Sequence, residues 1–135
     1  DICGGVDNLF RSTTQLRKVD FQRTELPLPV FSDLIGALRM TTCEELDISV
    51  CNIHHRHCYE LAQYLAQNTL RVLIMRYNEA GTHGAKHLAK ALPHASKLEK
   101  LDIGWNAIGL EGAQTLINSI KSYIDINIDC NTIPH

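Results

Sequence analysis

The chain has 135 residues and a formal net charge of -2 at pH 7. This is the length of one domain, and so small a charge gives no electrostatic case for nucleic acid or an anionic membrane as a partner. No stretch approaches the roughly 18 to 20 apolar residues of a membrane span. The first residues, DICGG, resemble neither a signal peptide nor a transit peptide. Because the sequence begins with Asp, we expect a processed product or a piece of a longer chain.

One pattern recurs five times along the chain, at steps of 27, 27, 28 and 25 residues. Each copy starts with alternating apolar residues, which predict a half-buried strand. A short side chain that can donate a hydrogen bond follows three residues after the second inward position. Such a residue can satisfy the backbone groups left where the chain turns sharply off the strand. The inward pairs are Val19/Phe21, Leu46/Ile48, Leu73/Met75, Leu101/Ile103 and Ile126/Ile128, and the turn residues are Thr24, Cys51, Asn78, Asn106 and Asn131.

A helical stripe follows each of the first four predicted strands, with two apolar residues spaced by four. A small residue precedes the stripe by three positions in the last three of these copies, which lets the helix lie close to the strand. Phe31 occupies this position in the first copy, so we expect a wider or irregular layer there. The stripes are Leu34/Leu38, Leu61/Leu65, Leu88/Leu92 and Leu116/Ile120, and the small residues are Cys58, Ala85 and Ala113.

Self-similarity at this period is the signature of stacked repeats, each of which buries its apolar face against its neighbours. We therefore expect a single domain over 1–135, with a cap or the end of a preceding repeat at 1–15. A fifth strand is predicted within 123–128, and no helix follows to cover it. Further repeats or another chain are expected on this C-terminal layer. The repeat boundaries are about 16–42, 43–69, 70–97 and 98–122, with a partial repeat at 123–135.

Two sub-patterns appear in turn within these copies. Cys51 and Cys58 mark one of them, and Asn78 and Asn106, followed by Gly84 and Gly112, mark the other. Over about 16–133 the chain resembles the leucine-rich repeat of the ribonuclease-inhibitor class, with its cysteine-type and asparagine-type repeats. The resemblance implies an α/β solenoid of about four to five repeats. It would form a short right-handed horseshoe arc, with a parallel sheet on the concave face and helices on the convex face.

The cysteines and histidines are assigned mainly to structure. Five cysteines is an odd number, and three of them occupy packing positions of the repeat, so we predict reduced core thiols and a cytoplasmic protein. Three histidines stand beside Cys58, but no second ligand pair answers them at the spacing of a metal site. His83 and His87 lack the intervening Glu of a zinc protease motif. We predict no metal site and place this pair on a solvated helix face.

No group of residues predicts catalysis. The Gly84-Ala85 and Gly112-Ala113 pairs recur with the repeat, so packing explains them better than a phosphate-binding loop does. Nothing in the sequence brings a nucleophile, a base and an orienting group together. We therefore predict that the chain is not an enzyme and holds no cofactor.

The residues that flank the inward strand positions must face outward, and they include six acidic and three basic residues. One interpretation is that an Asp after the first strand Leu merely keeps the sheet soluble. The other is that Val72 and Ile74 interrupt the acidic stripe to form the apolar centre of a binding surface, with aromatic side chains beside it. Tyr77 and Trp105 could instead only cover the turn. The candidate protein-binding residues are Asp20, Asp47, Val72, Ile74, Arg76, Tyr77, Asp102, Trp105 and Asp129.

The sequence thus predicts a protein-interaction module that binds a protein partner through its concave face. The resemblance extends to nucleotide-binding innate immune receptors and to ribonuclease inhibitor, which implies the ligand-sensing or autoinhibitory part of a larger cytosolic protein. One alternative is a structural repeat subunit held in a large assembly. Another is an activator of a small GTPase.

Overall fold

The computed structural model describes residues 17–67 and 69–131, where strands alternate with helices. The cap or repeat end predicted at 1–15 lies outside these ranges. Within them, no helix has the length and apolar character needed to cross a membrane. The strands are β1 (Lys18–Asp20), β2 (Glu45–Asp47), β3 (Val72–Ile74), β4 (Lys100–Asp102) and β5 (Asp125–Asn127). The helices are α1 (Leu28–Leu38), α2 (His55–Leu65), α3 (Gly81–Ala91) and α4 (Gly109–Ser119), with a 3-10 turn at Leu92–His94.

The strands form one parallel sheet in chain order, from β1 to β5. One helix lies between each strand and the next along the chain. The register is the one that the repeat predicts, because the middle residues of the strands face one another across the sheet. The α/β class and the parallel sheet are therefore confirmed. These middle residues are Val19, Leu46, Leu73, Leu101 and Ile126.

The core combines inward side chains of the sheet with the helical stripes, as predicted. The middle residues of β1 to β4 are at most 6% exposed, and the leucine pairs that begin at Leu34, Leu61 and Leu88 are at most 1% exposed. Each such side chain contributes on the order of 1.5–3 kcal/mol through burial. Ile120, Ile126 and Ile128 of the last layer are only partly buried. Apolar surface is thus left open beside β5.

Asparagines stitch one repeat to the next at the predicted turn position. The Asn78 side-chain oxygen accepts hydrogen bonds from the backbone N–H of Cys51 at 2.9 Å and of Ile53 at 3.0 Å. Its amide group donates to the carbonyl of Ile48 at 2.9 Å and to that of Met75 at 3.1 Å. One side chain therefore satisfies buried backbone groups of two repeats, which is the role the sequence predicts for it.

Small residues bring the helices close together. A Cβ atom built on Gly84 would lie 2.9 Å from the Cβ of Ala80 and 3.0 Å from the Sγ of Cys58. One built on Gly112 would lie 3.1 Å from the Cβ of Ala85. Both separations are too short for a side chain without rearrangement. The recurring Gly-Ala pairs are therefore packing positions.

The predicted core thiols are buried. Cys43, Cys51 and Cys58 are fully enclosed, and burial raises the pKa of Cys43 to about 11 and that of Cys58 to about 12. Since the thiolate is the reactive form, both side chains stay protonated and inert near neutral pH. In the described part of the chain Cys130 is the exposed cysteine.

Two histidines form a reciprocal cap at the start of α2. The His54 backbone N–H donates to Nδ1 of His57 at 3.2 Å, and Nδ1 of His54 accepts from the backbone N–H of Arg56 at 3.3 Å. Nε2 of His57 lies 2.7 Å from the carbonyl oxygen of Leu26. A carbonyl can only accept, so His57 is the neutral tautomer with its proton on Nε2. Over the described residues no group of three or more His, Cys, Asp or Glu is placed to hold a metal ion.

Candidate protein-binding surface

The face of the sheet opposite the helices carries seven of the nine predicted binding residues, and we call it the outer sheet face. Asp20 lies directly beside Asp47 in the register of β1 and β2, as predicted, at the roughly 4.8 Å spacing of neighbouring strands. Asp47 in turn lies beside Ile74. The face consists of Lys18, Asp20, Gln22, Glu45, Asp47, Ser49, Val72, Ile74, Arg76, Lys100, Asp102, Gly104, Asp125, Asn127 and Asp129.

The acidic stripe has a structural role that the sequence analysis missed. In four of the five repeats, the residue after the middle of the strand accepts a hydrogen bond from the backbone N–H two residues later. These bonds cap the end of each strand as Asx-type turns do. The acceptors are Asp20 at 2.9 Å, Asp47 at 3.0 Å, Asp102 at 3.1 Å and Asn127 at 2.9 Å.

The third repeat lacks this cap because Ile74 has no acceptor. The backbone N–H of Arg76 therefore has no acceptor in its own repeat. It donates instead to Oγ of Ser49 in the preceding repeat, at 3.0 Å. Ser49 is only 5% exposed, so water is a poor substitute for this bond. The apolar residue at 74 thus displaces a structural group, and a neighbouring repeat compensates.

Ser49 and Ile74 are expected to be energetically coupled. Replacing Ser49 by Ala leaves the Arg76 amide unpaired and should lower the free energy of unfolding by about 1 kcal/mol. In an Ile74→Asn background the new side chain can accept that amide proton, as Asn127 does in its own repeat. The loss in free energy of unfolding caused by Ser49→Ala should therefore be about 0.5–1 kcal/mol smaller in that background. Urea denaturation of the four variants measures this coupling, and additivity within about 0.3 kcal/mol would contradict it.

Arg76 is held by two carboxylates of later repeats. Its Nη1 lies 2.9 Å from one oxygen of Asp102 and 3.1 Å from the other, and 3.3 Å from Oδ1 of Asp129. A Cβ on Gly104 would lie 2.4 Å from the Asp129 oxygen and 2.8 Å from the arginine, so glycine keeps this path open. The hydrogen bond that Arg76 donates to Asp102 raises the pKa of Arg76. Asp102 is 7% exposed, and its charge is therefore covered.

Tyr77 and Trp105 stack at the exit of their strands. Their ring centroids are 5.4 Å apart and the planes differ by 15°. The guanidinium carbon of Arg76 lies 5.7 Å from the centroid of the Tyr77 ring, within the range of a cation–π contact. The side chains remain 52% and 46% exposed. The rings therefore cover the turn only in part and present about half of their surface to solvent.

Both rings sit on left-handed backbone, with φ of 57° for each. The same position is left-handed in every repeat, and none of the five residues is glycine. A left-handed conformation costs a non-glycine residue roughly 1–2 kcal/mol. Val50 shares this position with a φ of 56° and is 45% exposed. Val50 lies one residue before the turn residue Cys51, which is the position that Tyr77 has in the next repeat. The repeat register could therefore have identified Val50 as the apolar neighbour of Tyr77. The other two residues are Arg23 and Cys130.

Two sequence comparisons find similarity to leucine-rich repeat proteins. A family model described as a leucine-rich repeat matches residues 94–116. NLRC5 of Mus musculus is 31% identical over 98 residues, a match that covers 69% of this chain and 5% of that protein. Both matches support a leucine-rich repeat protein of the ribonuclease-inhibitor-like class. It spans only about a twentieth of the length of the curated relative that it matches.

Solved structures agree on the fold. The C-terminal domain of tropomodulin from Caenorhabditis elegans has a TM-score of 0.78 at 15% identity, over 93% of this chain and 81% of that one. The structure titled Leiomodin-1 Actin-Binding Site 2 has a TM-score of 0.79 at 13% identity, over 94% of this chain and 76% of that one. At such low identity these likenesses concern architecture alone.

The predicted binding residues fall into two kinds, according to whether their side chains are free for a partner or already bonded within the sheet. Val72, Ile74, Tyr77 and Trp105 are apolar or aromatic and are at least partly exposed. By contrast, Asp102 and Arg76 bind each other, so they are less available to a partner than the sequence suggests. Asp20 and Asp47 each cap their own strand, and Asp129 receives Arg76.

Proposed function

We propose that the chain is a protein-interaction module that binds a protein partner through the outer sheet face. In this proposal one leucine-rich-repeat domain, over 1–135, forms a short right-handed horseshoe arc, and the outer sheet face is its concave side. The carrying observation is Ile74. Its repeat lacks the strand cap that the other four repeats keep and has a partly exposed aliphatic side chain in its place.

The surroundings of Ile74 favour protein as the partner. Val72 lies two residues before Ile74 on β3. Glu45 and Lys100 flank Val72 on the neighbouring strands. The stacked Tyr77 and Trp105 lie at the exit edge of the same face. An apolar centre with aromatic residues and a charged rim is the usual anatomy of a protein interface.

We further propose that this module is the ligand-sensing or autoinhibitory part of a larger cytosolic protein. The resemblance to nucleotide-binding innate immune receptors supports this, and so does the likeness to NLRC5, of which the match covers 5%. A nucleotide-binding domain in the flanking sequence would be consistent with this role.

Ile74→Asn tests the binding face without removing the fold, because asparagine restores a strand cap. A partner should first be captured with the wild-type chain, and its dissociation constant then measured with both proteins. We expect the variant to bind at least tenfold more weakly, a loss of about 1.4 kcal/mol. Ile117→Asn is the matched control, since Ile117 is 51% exposed on α4. Equal affinity for wild type and Ile74→Asn would exclude this face.

A structural role in a larger assembly is the second candidate. In the described residues β5 pairs with β4 alone, and Ile126 and Ile128 are only partly buried beside it. Another layer packed on this edge would bury them. A chain that stays monomeric at high concentration in sedimentation experiments would argue against this role. The alternative of a small GTPase activator is tested by measuring hydrolysis across a panel of small GTPases. Absence of any stimulated hydrolysis would argue against it.

A further inference from the structure

A second apolar surface lies on the helices. A groove of about 250 Å³ runs between α2 and α3, and we call it the α2–α3 groove. Its apolar lining comes from Ala62, Ala66 and Ala91. One end is formed by Tyr59, which is 55% exposed, and by His87, whose ring meets the tyrosine edge-on at 5.4 Å between centroids. His87 is partly exposed there, and His83, its partner in the predicted solvated pair, is exposed.

The charged residue that lines the groove is basic. Residues 81–94, which form α3 and the turn after it, contain two lysines and three histidines and no acidic residue. Lys90 lines the groove, and no described carboxylate lies within ion-pair distance of it. Burial lowers the pKa of His87, and Lys90, His55 and His83 lower it further. The field at this surface therefore disfavours additional positive charge.

The acidic residues near the groove are already engaged. Glu60 is the one acidic residue of α2, and Oγ of Ser32 donates to its two oxygens at 2.8 and 2.6 Å. Glu111 of α4 binds Lys86 at 2.7 Å. Neither carboxylate lines the groove. Of the described residues that line the groove, Lys90 carries the formal charge.

We propose that the α2–α3 groove docks an acidic amphipathic helix of a partner protein, at a site separate from the outer sheet face. The backbone groups of α2 and α3 are bonded within their own helices, so the groove offers no ladder to an extended segment. A helix arrives with its own backbone satisfied. The alanines admit a large apolar side chain, and carboxylates one turn away from it meet Lys90 and the histidines.

The dimensions of the groove fit this occupant. Tyr59 and Ala66 are seven residues apart on α2, which is roughly 10 Å along the helix axis at 1.5 Å per residue. Two turns of a partner helix cover that length and present apolar residues at positions i and i+4. Packing of helix on helix by ridges and grooves requires the close approach that alanine allows.

A displayed library of single helices, selected on the whole 135-residue chain, tests this proposal. We expect the selected helices to carry a large apolar residue with Asp or Glu one turn before or after it. Their affinity should fall at least tenfold on Lys90→Glu or Tyr59→Ala, and it should weaken as salt is raised. Circular dichroism of each variant verifies that the chain remains folded.

Matched controls separate this groove from other surfaces. Lys121→Glu makes the same charge change after α4, and Tyr123→Ala removes a tyrosine that is also 55% exposed. Both should leave affinity within about twofold, and so should Ile74→Asn on the outer sheet face. Selection of neutral or basic helices, no selection above background, or binding unchanged by Lys90→Glu and Tyr59→Ala would each overturn the proposal. None of these results bears on binding by the outer sheet face.

Discussion

Replacing Asn106 by Ala is expected to lower the free energy of unfolding by about 3–5 kcal/mol, because several buried backbone groups lose their partner together. The Asn106 side-chain oxygen accepts from the Ala80 N–H at 3.2 Å. Its amide group donates to the carbonyls of Met75 at 2.8 Å, Ile103 at 3.2 Å and Gly104 at 3.0 Å. The residue is 0% exposed, so water cannot replace these bonds.

Asn131→Ala is the matched control for this prediction. Asn131 makes the same kind of bonds, accepting from the Asn106 N–H at 2.7 Å and donating to the Ile103 carbonyl at 3.0 Å. It is only partly buried, so water can take over and the cost should be about 1 kcal/mol. Urea denaturation at low temperature measures both variants. Similar losses for the two would show that burial does not set the strength of the asparagine ladder.

Repetition explains why so much of the fold could be predicted from the sequence. Each position of the pattern recurs in three to five copies. The strand centres, the asparagine ladder and the small helix positions can therefore be recognised together. Leu46, Asn78 and Ala85 lie where the period places them. Local patterns also sufficed for β5, although Ile126 and Ile128 are only partly buried.

Contacts that occur in one repeat only could not be predicted in this way. Arg76 reaches Asp129, 53 residues later, over a strand whose Gly104 alone makes room. No spacing in the sequence indicates that bond, because it depends on the length and direction of one side chain. Ser49 and the Arg76 amide meet for a similar reason. The acidic stripe therefore looked like free surface charge, whereas part of it is structural.

The left-handed backbone at the exit of the strands could not be predicted from the sequence, for a different reason. Glycine normally marks such backbone, but here Val50, Tyr77 and Trp105 occupy it. Their shared φ value is visible only in three dimensions. The groove between α2 and α3 was missed because Tyr59 and His87 come from different repeats, and each alone is typical of a solvated helix.

His57→Ala is expected to lower the free energy of unfolding by about 2–4 kcal/mol. The substitution removes the acceptor of the His54 N–H and the donor to the Leu26 carbonyl. It also leaves a cavity beside Phe31, whose ring lies edge-on to His57 at 5.0 Å between centroids. His57 is 1% exposed, so neither backbone group regains water easily. The loss should appear as a lower urea midpoint at pH 8 with an unchanged slope.

Acid should weaken the wild-type chain through the same residue. Burial holds the pKa of His57 below its ordinary value of 6.5, and the charge of His54 lowers it further, although the Leu26 carbonyl and Glu60 oppose both effects. As pH falls from about 6.5 towards the lower folded pKa, the unfolded chain binds more protons, so stability falls by at most about 1.4 kcal/mol per pH unit. Above pH 6.5 the contribution of neutral His57 is fully present.

His57→Gln separates the proton from the packing. Glutamine at this position of the helix can accept from the His54 N–H, and its amide can donate to the Leu26 carbonyl, but it does not titrate between pH 5 and 8. We expect it to retain more stability than His57→Ala and to show a shallower loss between pH 6.5 and 5 than the wild type. His87 and the carboxylates titrate in both proteins, so the difference between the two curves isolates His57. Parallel curves would mean that the reciprocal histidine cap tolerates protonation and that the acid sensitivity of the chain resides elsewhere.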